Sequence, residues 1–361
     1  MQISDYFSAN YAAARAAFIR AADGASADVE SYHNPATGPD GERLSAETAW
    51  LGSREAERVL IIMSGTHGAE TFSGSGIQVG LLRSGVAKEI ADGLGVLLIH
   101  AINPSGFAWI RRVTEGNVDL NRNFVDHGRV RPRNEGYELL RDAICPAEWH
   151  GEARAAADAA LHAYGAQHGS MALQAAITSG QYIDDRGIFY GGLAPTWSNR
   201  TLREIVARNA SQARHVGFID LHTGLGPYGF GEIISNHYAG TAGLARIREW
   251  FGSDATSSDD GTSTSAPVAG DTNIGIEEAL PKAAVSGVTL EYGTEPLRDM
   301  LDAIRADNWL HAHGRLDSAE GRTIKAQVRK AFYPDTDDWR AMVWQRAVEV
   351  TRRMVRGLAQ S

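Results

Sequence analysis

Apolar positions recur along the chain with two periods, and their alternation sets the order of elements. Val59-Leu60-Ile61-Ile62-Met63 and Val96 to Ile102 are nearly unbroken apolar runs, as strands buried on both faces require. Leu44 to Trp50, Val216 to Leu221, Glu232 to Asn236 and Val285 to Glu291 read as further strands. Between them the spacing becomes helical. Tyr6 to Ala22 predicts a surface helix, Ser75 to Leu82 a buried one, and Asp338 to Leu358 a long amphipathic one. Ala147 to His168 and Thr201 to Ala213 carry charges at helical spacing. Strands alternating with helices predict an α/β fold whose sheet is largely parallel and covered on both faces. Asp254 to Thr272 is rich in Ser, Thr, Asp and Gly and poor in apolar residues. It predicts an exposed loop and not a linker, because strand patterns continue beyond it. No internal repeat interrupts this order, so the expectation is one domain over residues 1–361.

Composition narrows the class. With 43% hydrophobic and 22% charged residues the chain can bury a sizeable core, which argues against disorder. Its 35 basic and 44 acidic residues give a net charge of −9, with no Lys/Arg run. That balance argues against nucleic acid or anionic membranes as partners, but not against an anionic substrate held by a local arginine pair. Cys145 is the sole cysteine, which excludes an intrachain disulfide and a thiolate metal cluster. Met1 to Arg20 holds Asp5, Arg15 and Arg20 and lacks the apolar core of a secretory signal. No stretch of about 18 uncharged apolar residues suggests a membrane span. A soluble, cytoplasmic protein is the expectation; the oligomeric state is unknown.

Four polar motifs follow apolar strands, where ligands bind in open α/β sheets. The first is Gly65-Thr66-His67-Gly68-Ala69-Glu70, in which a turn can bring a His and a carboxylate to one point. Taken alone it is as consistent with a helix start that favours Glu70. The second runs from Asn103-Pro104 through Arg111-Arg112 to Asn117-Val118-Asp119-Leu120-Asn121-Arg122-Asn123-Phe124. Its arginines and amides suit recognition of a carboxylate, although a lone arginine more often joins a salt-bridged loop. The third is Asp220-Leu221-His222-Thr223-Gly224 and the fourth Glu291-Tyr292-Gly293-Thr294. A single His at a strand end is more often structural, and a carboxylate there is costly unless paired, exposed or in use. Together they offer two histidines and one carboxylate as metal ligands, with a second carboxylate as base, the set zinc hydrolases employ.

These motifs resemble the zinc metallocarboxypeptidase superfamily, which includes the aspartoacylase and succinylglutamate desuccinylase branch. The resemblance runs from about Thr48 to about Gly314 and includes Arg305-Ala306-Asp307-Asn308-Trp309-Leu310-His311. It implies a three-layer α/β/α sandwich with a mixed, largely parallel sheet. It also implies zinc held by His67, Glu70 and His222, with Asp119 orienting the first histidine. Asn121 and Arg122 resemble the pair that grips a substrate carboxylate, and Glu291 the catalytic glutamate. Arg112, nine residues after Asn103, resembles the arginine that polarises the scissile carbonyl, with Arg111 the alternative. The family also uses a mobile tyrosine, for which Tyr190, Tyr228 and Tyr238 are equal candidates.

The activity implied is hydrolysis of an amide bond next to a free carboxylate, in a small peptide or an N-acyl amino acid. A deacylase of the aspartoacylase/desuccinylase type and a non-catalytic zinc-binding protein are the alternatives. Three features are set aside. The glycines at 224, 226, 229 and 231 lack the dinucleotide fingerprint, His311 and His313 beside Trp309 read as structural, and Ser75 lacks a nucleophile motif.

Overall fold

In the computed structural model, which describes residues 2–361, eight strands join one sheet. They are β1 (Asp28–Thr37), β2 (Arg43–Leu51), β3 (Arg58–Ser64), β4 (Gly95–His100), β5 (His215–Tyr228), β6 (Gly231–Ser235), β7 (Ala255–Thr256) and β8 (Ala284–Gly293). Their spatial order is β1-β2-β4-β3-β5-β8-β6-β7. The centre, β4-β3-β5-β8, is parallel, while β1 and β2 at one edge and β6 at the other run antiparallel to their inner neighbours.

The unbroken apolar runs are explained by the pleat. Leu60, Ile62, Val96 and Leu98 enter one core, with the Tyr11–Gly24, Thr71–Arg83 and Asp337–Ala359 helices. Val59, Ile61, Met63, Leu97 and Ile99 enter the other, with the Trp197–Ala210 and Thr272–Ala279 helices. The expected α/β/α layering with a mixed, largely parallel sheet is therefore present. A third core lies outside those layers. Helices Glu135–Ile144, Gly151–His168, Ser170–Thr178, Leu297–Ala312 and Ala319–Phe332 pack on each other through Tyr137, Leu161, Ile177, Ile304, Ile324 and Phe332.

Three elements depart from expectation. The first helix begins at Tyr11, not Tyr6, because the Asn10 side chain accepts the Ala13 N–H and fixes the start there. The polar segment 28–37 is an edge strand. The segment Asp254 to Thr272 is no simple exposed loop: Ser257, Ser263 and Ala266 are buried, and the buried Glu232 carboxylate accepts the Thr264 N–H and the Thr256 hydroxyl. No described helix is long and apolar enough to cross a membrane.

Candidate metal centre

The first motif turns sharply after β3. Gly65 has φ of +86°, and a Cβ there would meet Ala101 Cα at 2.8 Å, so only glycine fits without strain. The turn is pinned to the second motif by backbone hydrogen bonds: Gly68 N–H donates to Arg112 O (3.2 Å) and Ala69 N–H to Arg111 O (2.8 Å). His67 and Glu70 thus meet on one side of a rigid bend, and both are buried.

His222 reaches the same point from β5. Its Nδ1 lies 3.2 Å from Glu70 Oε2, while His67 Nδ1 lies 2.9 Å from Glu70 Oε1. Each ring is backed by a carboxylate. His67 Nε2 stands 3.1 Å from Asp119 Oδ1 and 2.8 Å from Arg112 Nη2. His222 Nε2 stands 3.0 Å from Asp220 Oδ2, and Asp220 also accepts the Thr66 (2.9 Å) and Thr272 (2.8 Å) hydroxyls. Thr223 N–H donates to Glu70 Oε2 at 3.1 Å, which sets that carboxylate between the rings.

Glu291 sits beside His222 in the β5–β8 register, and its Oε1 accepts the Leu225 N–H at 2.9 Å. Burial, reinforced by the Glu70 charge, pushes its carboxyl up to about 8. Glu70 and Asp119 go the opposite way. Burial raises Glu70, but the His67 and His222 charges outweigh it and hold it well below the carboxylate range. At Asp119 burial is outweighed by Arg112, His67 and Arg122. Burial favours a neutral His222, yet Asp220 and Glu70 raise it well above the ordinary histidine value. The cluster is built to stabilise positive charge between its rings.

The arginines separate. Arg112 faces the cleft, with Nε 2.8 Å from Asp119 Oδ2, Nη1 3.3 Å from Glu70 Oε1, and its guanidinium 4.8 Å from the Phe189 ring centre. Arg111 turns away to Asp307 (3.0 Å) and Asn117 (3.0 Å). Asn121 and Arg122 line the cleft. Asn121 Oδ1 accepts the Thr272 N–H, and Arg122 donates to Thr178 O and Asn121 O. Of the three tyrosines, Tyr238 lines the cleft; Tyr190 is buried and Tyr228 borders a neighbouring recess. Asp220 and Phe189 had no assigned role in the sequence. Ser75 does bond His100 (2.9 Å), but both are buried in the core.

Donor atoms of His67, Glu70 and His222 all lie within 4.8 Å of one another, close enough to share one cation. His67 Nδ1 is buried and faces Glu70 Oε1 at 2.9 Å, two potential ligand atoms turned toward one point. Two imidazoles and a carboxylate fit zinc with a position left open. The cleft encloses about 140 Å³, roughly ten times what one water requires, so it admits a small substrate as well as an ion.

The family profile described as "Protein of unknown function (DUF2817)" matches residues 7–346. No curated protein matches the chain. Similar solved structures include carboxypeptidase A from Helicoverpa armigera, at 14% identity and TM-score 0.45, with 91% of this chain and 75% of that one covered. Bovine thrombin-activatable fibrinolysis inhibitor, in complex with tick carboxypeptidase inhibitor, is similar at 12% and 0.42, with 91% and 98% covered. Murein-tripeptide amidase from Escherichia coli O157 is similar at 15% and 0.35, with 80% and 90% covered.

Proposed function

The chain belongs to the family described as protein of unknown function DUF2817, and on that footing we propose that it is a zinc-dependent hydrolase of an amide bond next to a free carboxylate. The observation that carries this reading is the convergence of His67, Glu70 and His222 donors within 4.8 Å, with Glu291 beside them in a cleft that arginines line.

A zinc ion at the three donors would polarise the amide carbonyl and acidify an attacking water. Glu291 accepts a proton from that water and passes it to the leaving nitrogen, a task suited to a carboxyl raised by burial. The atoms balance: the acyl carbon gains the hydroxyl, the C–N bond breaks, and the amine leaves with a hydrogen. With a cation held by His67, Glu70 and His222, His67 would keep its ring proton on Nε2, donated to Asp119. Arg112, whose Nη2 stands 2.8 Å from that nitrogen, would be placed to donate to the developing oxyanion. Asn121 and Arg122 hold the substrate carboxylate.

Metal analysis paired with an amidase screen tests this. Parent protein and Glu291→Gln should both carry stoichiometric zinc, with turnover in the variant down by about 10²–10⁴-fold. His222→Ala should lose the metal. Parental rates in Glu291→Gln would sink the base assignment, and full zinc in His222→Ala the ligand assignment.

A further inference from the structure

The cleft lining groups by chemistry. Arg122 bonds Thr178, and Asn121 bonds Thr272 next to Asp271, in one polar group. Leu225, Leu297, Met300, Leu301, Ile304 and Phe332 also line it and belong to one apolar cluster, none of them offering a side-chain oxygen or nitrogen. This apolar cluster touches the reactive centre. A Cβ at Gly224 would lie 3.4 Å from Glu291 Oε1, 3.2 Å from Met300 Sδ and 3.5 Å from Phe332 Cε1. Leu225, Leu297 and Met300 also line a second recess, which is polar as well as apolar, with Tyr228, Thr294 and Glu295 on it. Leu225, Leu297 and Leu301 are only half-buried, so apolar surface is left open to a guest.

An amide substrate whose carboxylate lies by Asn121 and Arg122 and whose scissile bond lies by Glu291 must send its acyl half into this apolar lobe. Beside Glu291 a peptidyl acyl group would bring a backbone N–H among these six side chains, which have no oxygen or nitrogen to receive it, and an unmet buried donor is costly; the oxygens of Tyr228, Thr294 and Glu295 line the second recess. A plain hydrocarbon chain carries no such donor. We propose that the substrate is an N-acyl amino acid with an apolar acyl chain, received by Leu225, Leu297, Leu301 and Phe332. This rests on the amide-hydrolase reading and names the substrate class for the same site.

The test is a series of N-acetyl, N-butyryl, N-hexanoyl and N-octanoyl derivatives of one amino acid, beside dipeptides, assayed for kcat/KM with the zinc-loaded protein. Each buried methylene should raise kcat/KM by about fourfold, so hexanoyl should exceed acetyl on the order of 100-fold. Leu301→Glu should bring the hexanoyl-to-acetyl ratio down toward one, and dipeptides should lag behind the hexanoyl derivative. The same acyl series is titrated calorimetrically into zinc-loaded Glu291→Gln, where affinity should rise with chain length. Hydrolysis that is flat or falling with acyl length, or fastest on dipeptides, overturns the inference and leaves the hydrolase reading standing. If nothing is hydrolysed the hydrolase reading fails, and the titration alone then decides whether the lobe binds acyl chains: rising affinity supports it and flat affinity rejects it.

Discussion

His222 owes its orientation to a residue two positions earlier on the same strand. Side chains two apart on a strand share a face, so Asp220 and His222 project together, and the Thr66 and Thr272 hydroxyls hold Asp220 in place. Partners of this kind fix the ring and raise its basicity. Asp220→Asn should therefore weaken zinc binding by about 10–100-fold, measured by competition with a chelator. An unchanged affinity would reduce Asp220 to a structural role. The Asp-Leu-His pattern was visible in the sequence, yet nothing local distinguished an orienting aspartate from an ordinary strand-end one. The side-by-side Arg111 and Arg112 posed a harder problem. What separates them is Asp307, 196 residues after Arg111, which draws that guanidinium off and leaves Arg112 in the cleft. A choice made by so distant a partner cannot be read from neighbours. The convergence of His67, Glu70, His222 and Glu291 was legible as position, because each stands at the end of an apolar run and the parallel central strands all end on the same side of the sheet.

Among the elements, the segment 257–271, a wall of the cleft through Ser257, Ser258, Asp259, Ser265, Val268 and Asp271, was the least legible. Its Ser, Thr and Asp content reads as solvent-exposed, but those groups are satisfied internally by an anchor in β6. Glu232 lies opposite Glu291 in the β6–β8 register, and hydrogen bonds to Thr256 and Thr264 occupy its carboxylate. Glu232→Ala should strand those donors and cost about 1–3 kcal/mol, read from urea unfolding. Faster hydrogen exchange at the Thr264 amide should accompany it. Unaltered exchange there would mean that the wall is held by other contacts. Strand β1 escaped detection for a related reason: as an edge strand it buries little, and its sequence never shows a clean apolar alternation.

At the scale of the whole molecule, acid sensitivity follows from a histidine that does not line the cleft. His100 is buried between the sheet and the Tyr11–Gly24 helix, stacked on Phe18 with ring centres 4.5 Å apart. Burial, aided by the Arg15 charge, holds its pKa down to about 3. The unfolded chain takes up this proton near the ordinary value of about 6.5, so stability is full above that pH and is lost as pH falls toward 3. By pH 4 the loss from this group is about 3 kcal/mol. Urea unfolding at pH 7 and pH 4 should show His100→Gln losing less than the parent; equal losses would acquit this residue.

The helices that carry the third apolar core supply Gln174 and Thr178 to one bank of the cleft and Met300, Leu301 and Phe332 to the other. The same core also takes in Ala69, between His67 and Glu70, and the Thr223 hydroxyl beside His222 donates to the Phe332 carbonyl. The banks and the candidate metal donors are therefore braced by one shared packing. Repacking one helix against another would reshape the approach and press on the donor turn at once, so a change of guest comes tied to a change in how the ion is held.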